Sequence, residues 1–156
     1  MTITANIAKH IREVHFGGNW TSVNMKDQLA DVTWQEAATT IGTINSIVTL
    51  VYHTGYYIAE VTKVLQGQPL QASDKQSFEH EPLTNQEDWQ QLLATTWVNA
   101  EVFATLIEQL PDSILLQDFT DAKYGSYYRN LHGIIEHLHY HMGQIVLLKK
   151  VIREHS

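Results

Sequence analysis

The chain has 156 residues, 44% of them hydrophobic and 17% charged, a balance that fits one globular domain with a sizeable core and excludes a disordered chain. Its net charge of −7 with histidines neutral argues against a phosphate-tracking surface, so no nucleic-acid partner is expected. No apolar run approaches the ~20 residues of a membrane span, and Met1-Thr2-Ile3-Thr4-Ala5-Asn6 has no basic segment leading into an apolar stretch, so the default expectation is cytoplasmic, with no membrane partner.

Helical periodicity dominates. The first helix is predicted from about Thr4 to His15, with Ile7, Ile11, Val14 and His15 on one side, and Gly17-Gly18-Asn19 breaks it. Residues 20–32 read as a loop with a short helical turn around Lys26 to Ala30. Thr33-Trp34-Gln35-Glu36 has the form of a capping box, with the glutamate three positions after the cap threonine. Helical pattern resumes there, and Gly42 marks a break. The main second helix is expected over Thr43 to Leu65. One stripe runs through Ile44, Ile47, Val48, Val51, Gly55, Ile58 and Thr62; a neighbouring one runs through Leu50, His53, Tyr57, Val61 and Val64. An apolar arc that wide is buried by several neighbours.

Residues 66–82, with Gly67, Pro69, Ser73 and Pro82, form a long connection. Thr84-Asn85-Gln86-Glu87 reads as a second capping box, opening a helix to about Leu110, with Pro111 just past its end. Trp89, Leu92, Leu93, Trp97, Ala100, Ala104, Ile107 and Leu110 supply its apolar side. Another irregular stretch leads to a last helix from about Ser126 to Glu154, and Lys149, Lys150 and Arg153 suit the negative end of its dipole. The fold class is therefore all-α: a single domain over residues 1–156, built as a four-helix bundle with a short extra helical turn after the first helix. The long crossover between the second and third long helices allows those two to run parallel.

Cysteine is absent, which excludes disulfides, a cysteine nucleophile and any thiolate-held metal or cluster. Metal chemistry would fall to histidine, carboxylate, carbonyl or water, and the chain has nine histidines. His137 and His141 are four residues apart, so on a helix both imidazoles reach one object. Ile134, His137, His141, Ile145 and Leu148 follow at steps of three and four, which sets the pair on an apolar face. A buried imidazole needs a partner for each ring nitrogen. A metal and a hydrogen-bonded structural pair both satisfy that need. His53 on the buried second helix adds a third candidate, and three histidines on two facing helices would leave coordination positions open.

The remaining histidines fit a ligand set less well. His139 lies about 200° around the helix from His137, and His132 is off the stripe. His10, His80 and His155 fall at exposed or terminal positions, and His15 is ambiguous. Leu138 follows His137, so the His-Glu-x-x-His pattern of zinc proteases is absent. Glu136 points about 100° away from His137 and reads as a solvated carboxylate. Tyr57, Tyr140 and Gln144 are within reach of a cavity ligand, or pack against their neighbours. No Gly-x-Ser-x-Gly elbow and no phosphate-cradling glycine loop is present.

His53, together with His137-Leu138-His139-Tyr140-His141-Met142-Gly143-Gln144-Ile145, resembles the pattern of the DinB superfamily of four-helix metalloproteins: an earlier helical histidine followed by His-x-x-x-His-x-Gly-Gln-Ile. Gly18-Asn19-Trp20-Thr21-Ser22-Val23, followed by Leu29-Ala30-Asp31-Val32-Thr33, resembles the entry loop of a branch of that family. The resemblance implies a bundle of up-down-down-up connectivity, a homodimer, and a divalent metal held by His53, His137 and His141, zinc or nickel being the leading expectations. It also implies a small-molecule substrate, with relatives that use low-molecular-weight thiols as transferases or isomerases and others described as metal-dependent hydrolases. For hydrolysis a general base is the missing part: Glu60 and Glu101 are carboxylates on bundle helices, but nothing in the sequence brings either to the metal. A non-catalytic metal-binding or ligand-binding bundle is the remaining alternative.

Overall fold

A computed structural model describes residues 1–154 and is all-helical. Its six α-helices are α1 (Ile3–Phe16), α2 (Met25–Leu29), α3 (Trp34–Ala38), α4 (Ile47–Leu65), α5 (Gln86–Gln109) and α6 (Tyr127–Glu154), four of them long. No β-strand occurs among the described residues; two isolated bridges, Ile41 with Ile44 and Asp118 with Ser126, only pin turns. No helix there is long and apolar enough to cross a membrane.

Each start is fixed by a short polar side chain that accepts from an amide the helix leaves unpaired. Thr2 serves Ala5, Asn24 serves Asp27 and Ser46 serves Thr49. Thr33 and Glu36 form the reciprocal box expected from the sequence. Two expected boundaries are corrected. The second long helix begins at Ile47, not Thr43, because Ile41–Ile44 close a tight turn through Gly42, whose φ is +56°, and Ser46 then caps. Ile44 consequently leaves the buried stripe and is 56% exposed. The cap of α5 is Asn85, not Thr84: Asn85 Oδ1 accepts from the Asp88 amide, and the Asp88 carboxylate accepts from the Thr84 amide and hydroxyl. The capping logic is the one expected, displaced by one residue.

Helix α5 packs on α1 and α4, and α6 also packs on both. Trp89, Phe103, Ile107, Leu131, Leu138 and Ile145 are fully buried between them. The Trp89 indole N–H donates to the Val32 carbonyl at 2.8 Å, which lets so large a polar-edged ring sit at the centre. Small helices α2 and α3 cover the side of the long ones, and Lys149 and Arg153 of α6 reach across to Asp31 and Glu36 there. These two cations are thus ion-paired to α2–α3 in addition to sitting near a helix C-terminus.

The long crossover is not slack. A 3₁₀ turn at Gln76–Phe78 lies against α4. The Tyr56 hydroxyl accepts from the Ser73 amide at 2.9 Å, and the Tyr57 hydroxyl donates to Asp74 at 3.2 Å. This fastening brings Asp74, Ser77 and Phe78 beside His53.

Candidate metal centre

Helix α4 presents His53, and α6 presents His137 and His141 one turn apart. The three offer ring nitrogens that all lie within 4.8 Å of one another, a grouping able to hold a metal ion. His53 and His141 are buried, and His137 is half-buried. The core stripe of α6 runs through Leu131, Ile135, Leu138, Met142 and Ile145. His137 sits at its edge, so the apolar face inferred from spacing holds fully for His141 and partly for His137.

On His53 and His141 the nitrogen that faces away from the centre is committed. Ser77 Oγ donates to the Asp74 carbonyl at 2.6 Å, so toward His53 Nδ1, at 2.8 Å, it acts as acceptor. Gln144 Oε1 accepts from His141 Nδ1 at 2.7 Å. Both imidazoles therefore carry their proton on Nδ1 and turn a bare Nε2 to the centre, the tautomer that a metal requires. His137 Nε2 lies 2.9 Å from His53 Nε2. The two Nε2 atoms thus face a common point, where as ligands both would present their lone pairs. Phe78 stacks on the His53 ring at 4.1 Å and 16°, and Tyr57 stands edge-on to His53 and His137 at 5.2 Å. The rings are thus held in place by packing as well as by hydrogen bonds.

Electrostatics keep the cluster neutral. Burial lowers the pKa of His53, and the neighbouring His141 adds to it. Burial lowers that of His141 against the opposing pull of Gln144. His137 is pushed down to about 4, by burial and then by repulsion from His141 and His53. Deprotonated imidazole is the ligating form, so near pH 7 no proton has to be driven off the set before a cation arrives.

His53 and His137 form one end of a cavity of about 990 Å³. Its wall includes Tyr57, Asp74, Phe119, Tyr128 and Glu136. His141 is not part of that wall, so the cluster opens to the cavity on one side and is closed by protein on the other. Gln144 is the one of the three suggested polar neighbours that touches a candidate ligand through a hydrogen bond, while Tyr140 is 65% exposed with its ring 4.9 Å from that of His141. Glu136 is exposed, as a solvated carboxylate should be, and nevertheless lines the cavity. Glu60 pairs with Lys63 and Glu101 with Arg12, so both carboxylates are engaged elsewhere.

The other histidines divide as follows. His10 and His139 face each other at 6.1 Å in a separate place. His80 hydrogen-bonds Thr49 at 2.9 Å. His15 is fully buried against Phe16 and Trp97, donating Nδ1–H to the Ile11 carbonyl and leaving Nε2 without a hydrogen-bond partner. His132 lines the cavity against Tyr128, a position its place off the stripe did not suggest. His155 lies outside the described residues. Sequence reasoning missed Ser77, Phe78 and Asp74. They are on the crossover, where no periodicity points to a face, and only the Tyr56 and Tyr57 contacts bring them in.

Comparison with protein-family models, curated proteins and solved structures finds no match to this chain.

Proposed function

We propose that the protein is a divalent-metal-dependent enzyme of the DinB-like type, using His53, His137 and His141 as ligands to activate a low-molecular-weight thiol for transfer to a small electrophilic substrate. The observation that carries this reading is the convergence of three neutral imidazoles at the end of a large cavity, two of them locked in the ligating tautomer, in a chain without cysteine. Neutral ligands leave the full charge of a bound divalent cation, which supplies the acidity that ionises a thiol. Imidazole suits zinc and nickel among others. The chain's part is to hold the rings, to shield one side of the cluster, and to leave the cavity side open for ligand. The packing of α5 and α6 on both α1 and α4 supports a four-helix bundle, with the up-down-down-up order that the long crossover permits. A homodimer belongs to the same proposal and is read from mass in solution.

Hydrolysis is the second reading, favoured by one observation: Asp74 and Glu136 line the same cavity and offer a base for a metal-bound water. A purely structural metal accords less well with a ligand set that opens onto a cavity. Metal analysis of the native protein, followed by a screen of thiols against electrophiles, tests the proposal. Native protein is expected to carry metal that His137→Ala lacks, with thiol-dependent turnover lost at the same time. Unchanged metal content in the variant overturns the three-histidine site. Loss of metal together with most of the thermal stability, and no turnover by the native protein with any thiol, moves the reading to a structural metal.

A further inference from the structure

The cavity continues along α6 well beyond the histidines. Arg129, Gly133 and His137 all line it, at steps of four, so they form one stripe of the helix. Eight residues separate Arg129 from His137, roughly 12 Å along the axis at the helical rise. Arg129 has no hydrogen bond or ion pair from its guanidinium to any described residue, whereas Arg12 and Arg153 are both paired to carboxylates. Arg129 is exposed, and its chain is anchored by its amide donating to Ser126 Oγ. Gly125, with φ +75°, passes so close that a Cβ there would stand 2.8 Å from Arg129 Cδ, and the Phe119 amide donates to the Gly125 carbonyl to close that loop. Between the arginine and the histidines the floor is Gly133, where a Cβ would meet nothing within 4 Å. The middle of the cavity is therefore clear, flanked by aromatic rings such as Tyr57 and Tyr128.

We infer that Arg129 is the anion-binding end of this cavity, taking the terminal carboxylate of an elongated ligand whose other end reaches the histidine cluster. A guanidinium fork matches a carboxylate in two parallel hydrogen bonds. Asp74 and Glu136 are also on the wall. Gly133 sets the clearance through which the ligand's middle passes. Arg129 is thus a specificity residue remote from the chemistry. The inference rests on the metal-dependent reading, because it takes the histidine end of the cavity as the reactive one.

Cobalt-loaded protein tests it without relying on turnover. Mercaptoacetate, mercaptohexanoate and mercaptoundecanoate, each beside the mercaptoalcohol of equal length, are titrated while the thiolate-to-cobalt charge-transfer band is followed. A long mercapto-acid is expected to bind about tenfold tighter than its alcohol, with no such gain for mercaptoacetate. Arg129→Gln should erase the gain and leave cobalt stoichiometry and alcohol affinity as they were. Gly133→Leu should weaken acid and alcohol alike. Equal affinity of acid and alcohol at every length, or a gain that survives Arg129→Gln, overturns the assignment while the metal reading stands. No cobalt uptake, or no charge-transfer band with any thiol, overturns the metal-thiol reading and the assignment with it.

Discussion

Ser77→Ala isolates the support of one candidate ligand. Ser77 is fully buried, and its Oγ is what His53 Nδ1–H donates to, at 2.8 Å. The same hydroxyl spends its own proton on the Asp74 carbonyl. In the alanine variant Phe78 still stacks on the ring, so gross position is kept. What is lost is the acceptor that fixes the tautomer. A buried Nδ1–H without a partner costs about 1–3 kcal/mol, and the imidazole can escape by moving the proton to Nε2, which removes the lone pair from the centre. Loss of an outer-shell partner of this kind typically lowers metal affinity about 10–100-fold, or about 1.4–2.8 kcal/mol. Zinc competition against a chromophoric chelator measures it, with circular dichroism as the check on folding. A folded variant whose zinc affinity is within about twofold of the parent would refute the tautomer argument.

Two further predictions concern stability. Gly55 lies inside α4, and a Cβ there meets nothing within 4 Å, so Gly55→Ala should stabilise the protein by about 0.5–1 kcal/mol through the helix-interior cost of glycine, read as a melting temperature higher by about 1–4 °C with metal affinity unchanged; a lower melting temperature would show that the site is filled. Asp31 is held down to about 2 by Lys149 and then Arg153, and Glu36 to about 2 chiefly by Arg153; since these folded-state values lie below the unfolded ones near 4, their stabilisation is present above about pH 4 and is lost as pH falls toward 2, so Arg153→Met should flatten the urea midpoint against pH across that window, and an unaltered slope would count against the pairing.

Much of the frame was legible because it rests on period and on caps. Apolar steps of three and four identify α1, α4, α5 and α6 to within a few residues, and Thr33 with Glu36 forms the box its spacing implies. The errors fall where a local alternative competes. At Thr84 two adjacent residues can both cap, and Asn85 wins because Asp88 is placed to accept from Thr84 in turn. At residues 41–44 a turn through Gly42 closes with the Ile44 amide on the Ile41 carbonyl, and Ser46 then caps the helix. The His53–His137–His141 grouping was likewise within reach, since each lies on a stripe of a long helix. The cavity was not. Its wall draws on α4, the crossover, the loop before α6 and α6 itself, and a juxtaposition of four separate segments leaves no periodic trace.

That division bears on how the chemistry is controlled. The candidate ligands sit on helices, whose geometry is stiff, while the acceptors that orient two of them come from different places: Ser77 from the crossover and Gln144 one turn further along α6. The crossover is in turn fastened by Tyr56 and Tyr57 of the helix that carries His53. A cation at the cluster would therefore join α4 to α6 directly and, through the Nδ1–H of His53, stiffen the crossover that walls the cavity. Metal binding and the shape of the ligand space are two readings of one set of contacts. Loosening the crossover at Ser77 should weaken both, whereas removing Arg129 should touch only the second.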